Sequence, residues 1–125
     1  MNPIQFVLGK GVILAEKIFA PKGIKRNPEA QQKADEITSK YVLYHFAECP
    51  FCLKVRRQIA ALGLKIEMRD ILRNKEYFQE LMQGGGQDQA PCLRIEESSG
   101  EFRWMYESSE INSFLVAQFG MSAAD

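Results

Sequence analysis

Apolar and polar positions change rhythm at residue 41. Before it, "IQFVLGKGVILAEKIFA" (4–20) is crowded with apolar residues, interrupted by Lys10, Glu16 and Lys17, and is stopped by Pro21 and Gly23. This stretch predicts a first helix over about residues 3–20. "RNPEAQQKADEITSK" follows, with Asn27 as N-cap and Pro28 at the first helical position, a start signal for a short polar helix near 28–38. After it, "YVLYHF" (41–46) is a short run of strand formers suited to a buried central strand. Cys52, Val55, Ile59 and Leu62 then recur at steps of three and four. That is one helical stripe over 50–62, with Lys54, Arg56 and Arg57 mainly off it and Gly63 as the stop. "KIEMRDI" (65–71) alternates, with Ile66 and Met68 on one face. "KEYFQELMQ" (75–83) reads as a helix ending in Gly84–Gly86. "PCLRIEE" (91–97), "SSG" and "EFRWMYE" (101–107) read as a hairpin. Ile111, Phe114, Leu115 and Phe119 mark a closing helix before Gly120.

The order from residue 41 is β-α-β-α-β-β-α. Its opening β-α-β is expected as a right-handed parallel unit, and the hairpin adds antiparallel strands to the same sheet. The predicted class is α/β: a thioredoxin-like domain with a four-stranded mixed sheet over 41–125, preceded by a helical N-terminal extension over 1–40. A chain of 125 residues holds about one such domain. Formal net charge is zero. Residues 1–65 carry eleven Lys or Arg against five acids, and 66–125 the reverse. Scattered cations without a basic stripe and aromatic platforms argue against a nucleic-acid partner.

The three cysteines are Cys49, Cys52 and Cys92. An odd count with one C-x-x-C is no disulfide framework, and the apolar N-terminal stretch lacks a clean cleavage site, so a reducing, cytoplasmic setting is expected. With a strand before it and a helix after it, Cys49 falls at a helix N-terminus. Free N–H groups and the positive end of the helix dipole stabilise a thiolate there. Cys52 lies one turn in, on the buried stripe. Cys49 is therefore the expected nucleophile, open to a partner, and Cys52 the resolving thiol; Pro50 suits the first turn. Glu48 opposes the thiolate, with Lys54, Arg56 and Arg57 at hand to offset it. His45, Cys49, Cys52 and Cys92 would satisfy zinc chemically. A second short-spaced pair is missing, however, so no metal site is expected. Cys92 alternates away from Leu93 and Ile95, as a structural thiol would.

"HFAECPFCLKVRRQI", "QAPCLRI" and "WMYESSEINSFL" together resemble a glutaredoxin, of the branch close to the N-terminal domains of glutathione transferases, over about residues 41–120. "CPFC" followed by "KVR" also resembles the membrane-associated prostaglandin E synthases. The resemblance implies a cis Ala90–Pro91 bond opposite the cysteines, with the backbone of Ala90 pairing with the glutathione cysteinyl unit. It implies that Glu107 and Ser108 hold the γ-glutamyl end. Ser108 as N-cap of the last helix, with free N–H groups behind it, agrees. Phe51 stands where the family often has Tyr. The Lys that many glutaredoxins carry before the motif is absent from His45–Glu48.

The expected function is that of a glutathione-dependent thiol–disulfide oxidoreductase, acting on protein disulfides or protein–glutathione mixed disulfides. It would use glutathione as co-substrate and no bound cofactor. The alternatives are a glutathione-bound [2Fe–2S] carrier and a non-catalytic, transferase-like glutathione-binding module. Residues 4–20 suit docking or dimerisation first, and peripheral contact with a membrane surface second.

Overall fold

The computed structural model describes residues 23–120. Its helices begin where capping residues allow. Asn27 caps α1 (Pro28–Thr38), its side chain accepting from Ala30 N at 2.7 Å. Asn74 does the same for α3 (Lys75–Gly84), accepting from Glu76 N at 2.9 Å. Cys49 caps α2 (Pro50–Ala61), and α4 runs Ser108–Phe119. The strands are β1 (Tyr41–His45), β2 (Glu67–Asp70), β3 (Cys92–Glu96) and β4 (Phe102–Tyr106). They form one sheet in the order β2-β1-β3-β4, parallel between β1 and β2 and antiparallel elsewhere. This is the expected thioredoxin-like order. The predicted helix over 3–20 lies outside the described residues.

Strand pleating sends alternate side chains to opposite faces, and each face has its own core. Leu43, Leu93 and Ile95 meet α1 (Ala34), α2 (Val55, Ile59) and α4 (Ile111, Leu115, Phe119) on one side. Val42, Tyr44 and Cys92 meet Leu81 of α3, with Trp104 and Tyr106 packed against them, on the other. Cys92 thus turns away from Leu93, as alternation requires. Gly84 closes α3 under the Trp104 ring, which a Cβ at that position would strike. Gly63 ends the α2 segment at φ +64, a conformation favouring glycine.

Ile66 and Met68 share a face, since Met68 lies in register with Leu43, whose side of the sheet carries the core that includes Ile66, but they are not equally covered. Ile66 is buried just before β2, whereas Met68 is exposed on an edge strand that only β1 covers. Ahead of α1, Arg26 donates to the carbonyls of Leu62 and Phe119, the latter at 2.8 Å, just past α2 and at the last residue of α4. Ile24 N donates to Ala61 O at 3.0 Å. No helix among the described residues is long and apolar enough to cross a membrane.

Candidate active site

Sheet register assembles the site. Tyr44, Cys92 and Tyr106 lie side by side across β1, β3 and β4. One step further along each strand are His45, Pro91 and Glu107. The chain positions carrying all three sequence motifs therefore reach the same end of the sheet. Ala90–Pro91 is cis, as expected, and Pro91 is buried. From β1 the chain passes through Phe46–Glu48, turns with Cys49 N donating to Phe46 O at 3.1 Å, and enters α2.

Cys49 is itself the N-cap of α2. Its Sγ accepts from Cys52 N at 3.2 Å, filling the role that Ser or Asp usually fills at this position. An unpaired N–H thus points at a sulfur that gains most when ionised. The Cys52 thiol donates to it as well, and with help from the Phe51 and Cys52 amides and the Arg56 charge this brings the Cys49 thiol down to about 6, against the opposing effect of burial. The same hydrogen bond, and then burial, push the Cys52 thiol up. The two cysteines are thus set apart as one thiolate and one thiol. Burial, outweighing hydrogen bonds from Tyr106 and the Met105 backbone, raises Cys92 to about 12, so that thiol stays protonated.

One expectation about Cys49 is corrected. Cys49 is only 4% exposed, against 0% for Cys52. The exposed surface beside it is the Phe51 ring, 58% exposed. A thiolate that caps a helix is drawn inward over the amides, so the electrostatics that activate Cys49 also cover it.

Arg56 is also corrected. It is buried, and its guanidinium donates to Ala47 O at 3.2 Å and Phe46 O at 3.4 Å and lies 3.2 Å from His45 Nδ1. A cation thus holds the loop before Cys49 from beneath. From the other side Asp70 accepts from Ala47 N at 3.2 Å. Glu48 is not offset by the α2 cations but by Arg73, which also bonds Asp70 at 2.8 Å. The Arg73 guanidinium holds the Glu48 carboxyl below the usual carboxylate range. The acid beside Cys49 is therefore already paired.

Glu107, not Ser108, is the N-cap of α4. Its backbone sits at φ 72 and its side chain makes no capping bond; Ser108 is the first helical residue. Such a conformation in a non-glycine residue costs of the order of 1–3 kcal/mol and concentrates at functional sites. The Glu107 carboxylate accepts instead from Gln89 Nε2 at 3.2 Å, linking the loop before Pro91 to the start of α4. Tyr106 steadies the same loop: its hydroxyl donates to Gln87 O at 3.2 Å and accepts from Gln87 N at 3.3 Å.

Sequence reasoning missed Arg73, Asp70 and the Gln89 tie as parts of this site, and it set Arg56 off the buried stripe. Arg56 was recoverable: it lies four residues after Cys52 and three before Ile59, inside the stripe that i, i+3, i+4, i+7 spacing buries. Arg73 and Asp70 come from the far end of the neighbouring strand and carry no local signal.

The glutaredoxin family model matches residues 37–99. Maleylacetoacetate isomerase from Anaeromyxobacter dehalogenans, solved with glutathione bound in its active site, is 28% identical; it aligns over 67% of this chain and 39% of its own, with a TM-score of 0.53. Glutathione transferase E6 from Drosophila melanogaster is 26% identical, over 68% of this chain and 37% of its own, with a TM-score of 0.52. Wheat glutaredoxin is 22% identical, over 77% and 89%, with a TM-score of 0.47. The chain thus spans well under half the length of the isomerase and the transferase. No curated protein matches it.

Proposed function

The chain belongs to the glutaredoxin family, and we propose that it is a glutathione-dependent thiol–disulfide oxidoreductase using the Cys49–Cys52 pair. The observation that carries this reading is the Cys49 sulfur held as the N-cap of α2, with its thiol drawn down to about 6. A thiolate near neutral pH is what thiol–disulfide exchange requires.

In the monothiol cycle, the Cys49 thiolate attacks the glutathionyl sulfur of a protein–glutathione disulfide. The protein leaves as its thiolate, and Cys49 is left bonded to glutathione. A second glutathione thiolate attacks that sulfur, yielding oxidised glutathione and free Cys49. With a protein disulfide, Cys49 forms a mixed disulfide with the protein instead. Cys52 then loses its proton and attacks the Cys49 sulfur; the substrate leaves as a dithiol, and the Cys49–Cys52 disulfide awaits reduction by two glutathiones. Ala90 would pair through its backbone with the cysteinyl unit beside Pro91. Ser108, at the first turn of α4, would offer its N–H to the γ-glutamyl carboxylate, and Glu107 would face the ammonium. Pro50 and Phe51 would flank the reacting sulfur.

The glutathione bound to the isomerase supports a second reading, a transferase-like module that holds glutathione without turning it over. One experiment separates the two: reduction of a small glutathione mixed disulfide, coupled to glutathione reductase, by the natural chain and by Cys49→Ser. The proposal expects turnover that Cys49→Ser abolishes. Activity surviving in Cys49→Ser would overturn it, and glutathione binding without turnover would favour the module.

A further inference from the structure

Along α2 after Cys49 stand two cations that pair with no carboxylate among the described residues. Lys54 lies on the outer side of α2, its ammonium 5.3 Å from the centre of the exposed Phe51 ring. Arg57 follows one turn on and makes no ion pair, side-chain hydrogen bond or ring contact among the described residues. Both line a shallow groove between α2 and α4 with Gln58, Ala61 and Asn112. The other arginines around the site are occupied, Arg56 by loop carbonyls and Arg73 by Glu48 and Asp70. Across the site the exposed charges are acids: Asp88, Glu107 and Glu110. The mouth is therefore bipolar, basic along α2 and acidic toward α4.

We propose that the Phe51–Lys54–Arg57 strip selects protein substrates whose reacting cysteine is followed or preceded by acidic residues. The inference rests on the oxidoreductase reading and adds the substrate class. Helix rise places Lys54 about 7 Å and Arg57 about 12 Å along the axis from Cys49. An extended chain covers about 3.3 Å per residue, so a peptide lying along α2 meets these cations with residues roughly two and four positions from its cysteine. Phe51, about 3 Å along the axis, offers the apolar surface for the residue next to the cysteine. Such exposed charges tune encounter and preference more than tight affinity, and salt weakens them.

The test uses the full chain and K54E/R57E with three S-glutathionylated peptides, carrying Glu, Gln or Lys at positions two and four from the cysteine. The expected result is kcat/KM for the Glu peptide about tenfold above the Lys peptide at low salt. This contrast should shrink in high salt and invert in K54E/R57E. A small glutathione–mercaptoethanol mixed disulfide should be turned over within about twofold of the natural rate. Equal rates for the three peptides would overturn the proposal. So would an equal loss for the small disulfide, which would mean that the two cations serve glutathione itself. The same peptides with Ser for Cys, followed by fluorescence anisotropy, keep the question separate from catalysis. If the small disulfide is not turned over at all, the oxidoreductase reading fails, while Glu-over-Lys binding still supports the strip and its absence overturns it.

Discussion

The two ends of the sheet are built on different terms. At the end away from the cysteines, backbone satisfies backbone. Glu96 N donates to Lys40 O at 3.0 Å, Glu97 N to Glu101 O at 2.8 Å and Gly100 N to Glu97 O at 2.9 Å, with Gly100 supplying the positive φ of the turn. At the cysteine end, side chains take over. A sulfur caps α2, Arg56 and Asp70 hold the loop before it, and a glutamate with φ 72 starts α4. The first end would close any hairpin. The second places polar groups that conventional backbone bonding would have left elsewhere, and it is the end that holds the thiolate.

This contrast can be broken or sharpened in order of expected effect. Leu43 is fully buried at the centre of the sheet, equidistant in role from both ends. Leu43→Ala should cost about 2–5 kcal/mol of stability. Chemical denaturation will read that loss, while the pH profile of Cys49 alkylation in the folded protein should stay in place.

Arg56→Met should move both quantities. It removes a positive charge from beneath Cys49 and takes the Arg56 donor from the Ala47 carbonyl, while Phe46 O keeps its bond from Cys49 N, so stability should fall by roughly 1–3 kcal/mol. The midpoint of Cys49 alkylation by iodoacetamide should rise by roughly half a pH unit, since the Arg56 charge is the weakest of the influences lowering Cys49; an unmoved midpoint would reduce Arg56 to a structural tie.

In the natural chain, that midpoint should lie near pH 6, where Cys49 is brought by its hydrogen bonds. Reactivity should be full above it and fall as pH drops through it. The sign for stability is the same. A thiol whose pKa is lower folded than unfolded contributes least below pH 6, and its contribution grows toward the ordinary thiol range.

Glu48→Gln should have the smallest effect. Arg73 already pairs the carboxylate, so removing it should lower the alkylation midpoint by only a few tenths of a unit.

The regular end was largely legible in the sequence, because its signals are local. Asn27–Pro28 announced α1, Gly63 its stop after α2, and "SSG" the hairpin. The cis peptide and the meeting of three motifs followed from the family resemblance. The side-chain arrangement at the other end was less legible. Arg56 was masked by its charge although its spacing placed it inward. Arg73 becomes Glu48's partner only when β2 lies parallel to β1. The exposure of Cys49 was misjudged because the capping bond that activates it also draws it in.

Arg26 has a consequence for where the molecule can be cut. The family match begins at residue 37, yet Arg26 binds carbonyls just beyond α2 and at the end of α4, and Ala34 sits in the larger core. An expression fragment started at the family boundary would free two helix ends at once and uncover Phe119, against which α1 lies. A stable fragment should therefore include Ile24 and Arg26, and trimming to the recognisable motif should yield an insoluble or loosened protein.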